Sequence, residues 1–247
     1  MIDTILILLA AHLLADFVLQ SNWMIEHKRK PLVFGLHIAI VTGSAALLAG
    51  NLAFAPLLLL ALTHAGLDAW KQYFSKKGGA AFAIDQAGHL ISILVISYCF
   101  PDFARSGYWL SPHPVDHAFL TLANQALYLK ALVLTCGYVA TVPVGGIVMR
   151  LVFTGILPEG AIGAEESGLP AGGHYIGLLE RNLIFFLVLT NNIEAVGFLI
   201  AAKSVLRFTV ASDRLASEYV IIGTLFSFSW ALIAAWLTRA ALAGFPG

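Results

Sequence analysis

Several stretches of this chain are apolar for about twenty residues, the length that crosses a bilayer as a helix. Three of those in the first hundred residues carry a histidine and an aspartate four positions apart. The strings are His12-Leu13-Leu14-Ala15-Asp16, with Gln20 beyond it; His64-Ala65-Gly66-Leu67-Asp68, with Lys71; and Asp85-Gln86-Ala87-Gly88-His89. On a helix, positions i and i+4 share one face. Each segment therefore presents an imidazole and a carboxylate on one side.

Composition agrees with membrane residence. Of 247 residues, 59% are hydrophobic and only 11% charged, against roughly 25% charged in a soluble domain. A formal net charge of +0 and the lack of any recognition motif argue against nucleic acid as a partner. Cys99 and Cys136 lie in apolar segments without metal-type spacing and read as small apolar filler.

The expected fold is all-α, a polytopic bundle of about seven transmembrane helices. The spans are expected at roughly 2–21, 32–50, 54–74, 82–100, 130–154, 178–208 and 219–240. The first lacks a basic start and reads as an uncleaved span rather than a signal peptide. Residues 117–128 read as an interfacial helix, and Pro143 with Gly145-Gly146 as a kink. The expected division is residues 1–116, a four-helix unit with the His/Asp strings, and 117–247, a C-terminal extension of about three helices, in one membrane domain. The basic stretches 26–30 and 71–77 fall on one side, which the positive-inside rule makes cytoplasmic.

At about 1.5 Å per residue, His12, Asp16, His37, His64, Asp68 and His89 fall in one slab beneath the cytoplasmic face, with Asp85 at its rim. Gln20, Lys71 and Gln86 ring its mouth. Each ionisable group at such depth costs at least about 2.5 kcal/mol unless it is compensated. A divalent cation would satisfy imidazoles and carboxylates together, and mixed nitrogen and oxygen ligands suit Zn, Mn or Fe. The alternative is that these pairs are interhelical glue. In the second half, Asn191, Asn192 and Glu194 are expected near mid-membrane, with Lys203 and Arg207 towards the far end of the same helix. Glu194, Lys203 and Arg207 are candidate substrate-binding groups, or paired structural charges. His113, Asp116 and His117 form a weaker loop alternative, His27 reads as solvated beside Lys28, and His174 as exposed in a Gly-rich loop.

The strings AHLLADFVLQ followed by NWM, then THAGLDAWK and IDQAGHL, resemble the bacterial membrane family known as domain of unknown function 3307. They also resemble, more weakly, inner-membrane proteins labelled metal-dependent hydrolases. The resemblance implies a multi-pass protein of the cell inner membrane.

The leading functional expectation is a metal-dependent hydrolase acting at the cytoplasmic leaflet on a lipid-like ester or phosphoester. Its expected ligands are His12, Asp16, His37, His64, Asp68, Asp85 and His89. Asp16, Asp68, Asp85 and Lys71 are the catalytic candidates, and Gln20, Lys71 and Gln86 would bind substrate. Alternatives are a proton- or cation-coupled transporter and a non-catalytic membrane subunit. Membrane lipid is the expected partner, with self-association into a homo-oligomer as a further expectation. No Walker-type loop or G-x-S-x-G elbow occurs, so ATP-driven pumping and serine hydrolysis lack support.

Overall fold

A computed structural model describes residues 1–74, 78–111, 122–156, 172–208 and 214–245. It is all-α, and the described residues contain no strand. The helices are α1 (Ile2–Leu14), α2 (Asn22–His27), α3 (Pro31–Ala49), α4 (Phe54–Phe74), α5 (Gly79–Cys99), α6 (Leu122–Val139), α7 (Gly145–Ile156), α8 (Gly172–Leu189), α9 (Glu194–Phe208) and α10 (Arg214–Ala243). A π-helical turn, Ala15–Leu19, continues α1, and another, Ala140–Val144, joins α6 to α7.

Among the described residues, five helical stretches are long and apolar enough to cross a membrane: Ile2–Leu19, Pro31–Ala49, Gly79–Cys99, Asn124–Phe153 and Ile221–Ala243. This is the architecture of a membrane protein. Helix α4 has 21 residues, enough to span, but His64, Asp68 and Lys71 lower its mean apolarity. Leucines and isoleucines that would be costly against water, such as Leu36, Leu62, Leu94 and Ile233, are exposed at 50–62%, and lipid is the solvent that suits them.

The chain forms two compact units, Met1–Val139 and Ala140–Gly244. In the first, α1 packs against α3, α5 and α6, α3 against α4, and α4 against α5. The buried positions run in steps of four: Val33, His37, Val41, Ala45 and Ala49 on α3; Pro56, Leu60, His64 and Asp68 on α4; Asp85, His89, Ile93 and Ser97 on α5. Such i±4n rows are the ridges by which helices interlock. Alanines on the facing stripes (Ala10, Ala11 and Ala15 against Ala45 and Ala49) let the backbones approach closely. The polar residues are the continuation of these stripes at one end of the unit.

The other end is closed by the turns 101–111. Gly50 takes a left-handed conformation (φ 60°) and ends α3. The Tyr108 amide donates to Gly50 O at 2.9 Å, and Trp109 Nε1 donates to Leu47 O at 2.7 Å. Tyr128 OH on α6 donates to Leu48 O. Thr4 Oγ1 donates to Pro101 O at 2.8 Å, and Arg105 Nε pairs with Asp3 Oδ2 at 2.6 Å. The helices are thus held at fixed heights relative to one another, which sets the heights of their polar ends.

In the second unit, the turn Ala140–Val144 contains Pro143, whose missing amide disrupts the helical ladder. Trp230 Nε1 donates to Ala140 O at 2.9 Å, and Arg181 Nε to Val142 O at 3.1 Å. Two side chains thereby bond carbonyls of the π turn.

Three sequence expectations change. The span expected at 178–208 is two helices, broken at Thr190–Ile193. Asn191 is left-handed (φ 63°), its amide donates to Val188 O, and that of Asn192 donates to Leu187 O. This pair of bonds is a Schellman cap. Glu194 therefore lies not within one continuous helix but at the start of α9, where it is exposed. Helix α5 begins at Gly79 rather than 82, so Asp85 lies in its second turn and is only 1% exposed instead of sitting at a rim. The stretch 26–30 is not only a basic turn, because Asn22–His27 form a helix capped by Ser21 Oγ on the Met24 amide. Residues 112–121, with His113, Asp116 and His117, lie outside the described residues, as do Lys76, Lys77 and 157–171.

Candidate metal centre

The cluster forms where five segments of the first unit meet. The π-helical turn carries Asp16. A π turn inserts an extra residue and so re-aims the side chains beyond it; here Asp16 Oδ2 lies 3.7 Å from His12 Nδ1, while Oδ1 reaches across to the neighbouring helices. His12 comes from α1, His37 from α3, His64 and Asp68 from α4, and Asp85 and His89 from α5. His12, His37, His64, Asp68, Asp85 and His89 are all 3% exposed or less.

Three ligand atoms converge, and a fourth stands against two of them. His37 Nε2 and His64 Nε2 are 3.1 Å apart. Asp16 Oδ1 is 3.5 Å from each of them. Asp68 Oδ2 is 3.3 Å from His37 Nε2 and 3.6 Å from His64 Nε2. Ligand atoms held about 2.0–2.1 Å from one cation at tetrahedral angles stand about 3.3–3.4 Å apart. The separations among Asp16, His37 and His64, and from Asp68 to the two imidazoles, are close to such edges. Two imidazole lone pairs aimed at each other at this distance repel unless a proton or a cation lies between them. Asp16, His37 and His64 form one group able to hold a metal ion, and His12, His64 and His89 another, each with ligand atoms within 4.8 Å of one another.

Imidazole rings line up beyond this point. Ring centroids of His64 and His89 are 4.2 Å apart, and those of His89 and His12 are 4.9 Å apart. A small cavity beside them is lined by His12, Leu60, Thr63, His64, His89, Ser92 and Ile93.

The hydrogen bonds fix the state of His12. Gln86 Nε2 donates to Asp85 Oδ2 at 3.1 Å, and a carboxylate can only accept. The Gln86 carbonyl oxygen is therefore the atom that faces His12 Nε2, at 3.2 Å. That nitrogen carries the hydrogen, and in the neutral ring His12 Nδ1, buried without a hydrogen-bond partner, keeps its lone pair.

Two lysines close the cluster. Lys71 Nζ lies 2.6 Å from Asp85 Oδ2, with its side chain 38% exposed. Lys28 Nζ lies 2.6 Å from Asp68 Oδ2, with its side chain 18% exposed. Lys28 is the member that reading the sequence missed. It stands in the basic stretch 26–30, which reads naturally as a solvated loop, and only the fold of α2 turns it inward. His27 stacks instead on Trp23, with centroids 4.9 Å apart.

Of the remaining candidates, Gln20 lies just past the π-helical turn, and its Nε2 is buried without a hydrogen bond. Glu194 and Lys203 belong to the second unit. Lys203 Nζ is bound to Glu180 Oε2 at 2.6 Å and sits 5.4 Å from the Phe228 ring centroid. It is paired with a carboxylate, as one of the two expectations for these charges had it. The side chain of Arg207 lies outside the described residues. His174 is exposed, at the first turn of α8 rather than in a loop.

No curated protein and no solved structure matches the chain. Neither search echoes the weaker likeness to metal-dependent hydrolases. Residues 4–114, the stretch that contains every member of the cluster, match the family described as Protein of unknown function (DUF3307).

Proposed function

We propose that this is a metal-dependent membrane hydrolase, with a divalent transition metal (Zn, Mn or Fe) held by Asp16, His37, His64 and Asp68. The observation that carries the reading is the convergence of His37 Nε2, His64 Nε2 and Asp16 Oδ1 at 3.1–3.5 Å, with Asp68 Oδ2 at 3.3 and 3.6 Å from the two imidazole nitrogens. Three aspartates and four histidines buried at membrane depth would otherwise cost about 2.5–3.5 kcal/mol for each group that is charged. A cation there would supply Lewis acidity to an ester or phosphoester oxygen.

The protein's own groups divide the remaining work. His12 Nδ1, held as a lone pair by the Gln86–Asp85 relay, accepts a proton. Asp16 Oδ2, 3.7 Å away, stabilises the imidazolium that results. Lys71, the more exposed of the two lysines, orients an anionic head group at the cytoplasmic leaflet. Asp85 anchors both Lys71 and Gln86.

The test uses purified full-length protein in lipid nanodiscs. Stoichiometric metal and hydrolysis of a fluorogenic ester or phosphoester are expected, both lost in Asp68→Asn. Metal-free protein without such activity would defeat the reading. A second reading, cation or proton transport, is favoured by the row of imidazoles His37, His64, His89 and His12. Uptake into sealed vesicles without hydrolysis would select it.

A further inference from the structure

The Asp16, His37 and His64 set, with Asp68 beside it, leaves part of the cluster unexplained. His89 Nε2 and Asp85 Oδ1 are both buried and without a hydrogen bond, on residues only 2% and 1% exposed. They stand 3.5 Å apart. That is too long for a hydrogen bond between them and close to the edge expected for two ligands of one cation, about 3.3–3.4 Å. The other oxygen, Asp85 Oδ2, is already satisfied by Lys71 Nζ at 2.6 Å and Gln86 Nε2 at 3.1 Å. Oδ1 is thus the free ligand atom, and its orientation towards His89 is held from behind. Asp68 completes a third set: one ligand atom each from Asp68, Asp85 and His89 lies within 4.8 Å of the others. Asp68 Oδ2 also stands 3.3 Å from His37 Nε2 and 3.6 Å from His64 Nε2.

We propose that a second divalent cation binds between Asp85 Oδ1, His89 Nε2 and Asp68, with the Asp68 carboxylate bridging it to the first. This rests on the single-metal reading above. The physical reason is the pair of orphaned atoms. Each buried polar atom without a partner costs about 1–3 kcal/mol, and a divalent cation satisfies a nitrogen lone pair and a carboxylate oxygen at once while also offsetting the buried negative charge. A carboxylate shared between two sets is also what places two cations about 3.5–4 Å apart, the spacing of two-metal hydrolytic centres. The i, i+4 pairs on α4 and α5 then have parallel roles: His64 with Asp68 serves the first cation, and His89 with Asp85 the second.

The experiment counts metal and reads the coupling between ions. Full-length protein in nanodiscs is stripped with chelator, reloaded with Mn²⁺, assayed for metal by mass spectrometry and studied by electron paramagnetic resonance. Wild type is expected to hold two Mn²⁺ per chain with an exchange-coupled multiline spectrum. His89→Gln and Asp85→Asn should each hold one, with the six-line spectrum of an isolated ion. One Mn²⁺ and a six-line spectrum in wild type, unchanged in both variants but lost in His37→Gln, would overturn the second cation and leave the first standing. No bound Mn²⁺ in wild type would overturn both. The wild-type count decides the matter even if a variant fails to fold.

Discussion

His37 and His64, from adjacent helices, bring their Nε2 atoms to 3.1 Å, each 3.5 Å from Asp16 Oδ1. No local sequence rule joins these residues. They meet because the stripe of α3 and the stripe of α4 end at the same height, with Asp16 delivered between them by a π turn.

Metal should stabilise the protein through this set. At free Zn²⁺ a hundredfold above its dissociation constant, linkage gives about 2.7 kcal/mol. A rise in the thermal midpoint of wild type in detergent is expected, with none in His37→Gln. An equal rise in both would place the ion elsewhere.

Lys28 competes with a metal for Asp68 Oδ2, from which it lies 2.6 Å. Lys28→Met should therefore bind Zn²⁺ several-fold more tightly in a chelator competition. The same variant without metal should be less stable. The loss is put at about 2 kcal/mol, below the 3–5 of a fully buried pair because the lysine is partly exposed. Unchanged affinity would mean that the ammonium and the metal do not share the oxygen.

Packing between α1 and α3 depends on small residues. Ala45→Leu, at a position with 0% exposure, should cost about 1–3 kcal/mol by overpacking. Leu36→Ala, 50% exposed on the same helix, should change the thermal midpoint little. Equal effects would contradict the assignment of buried and lipid-facing sides.

Gly107 admits no side chain. A Cβ there would stand 1.9 Å from Ala49 O, a backbone atom at the end of α3. Gly107→Ala should cost about 3 kcal/mol, the upper part of the overpacking range. The Trp109 bond to Leu47 O should loosen with it, visible as a shift in tryptophan emission. Wild-type stability in this variant would mean that the turn is not seated on α3.

The apolar runs and their lengths were legible in the chain itself. They imply helices in lipid, because only a helix bonds its own backbone where water is absent. The i, i+4 spacing put each histidine and aspartate on one face, and the bounds of α4 came straight from its apolar run. Other features depended on contacts between distant residues. The π-helical turn at Asp16 has no spacing signature. Lys28 looked solvated until α2 folded it inward. Asn191-Asn192 reads as polar groups inside a span, and only the backbone shows that they cap a helix. Glu194 stands at an exposed helix start, and the partner of Lys203, Glu180, comes from a neighbouring helix that spacing alone does not identify. Periodicity is a one-dimensional property that each helix carries by itself. Which ligand atoms share a point depends on helix heights, and those are set by the capping turns and small-residue contacts that only the assembled tertiary structure contains.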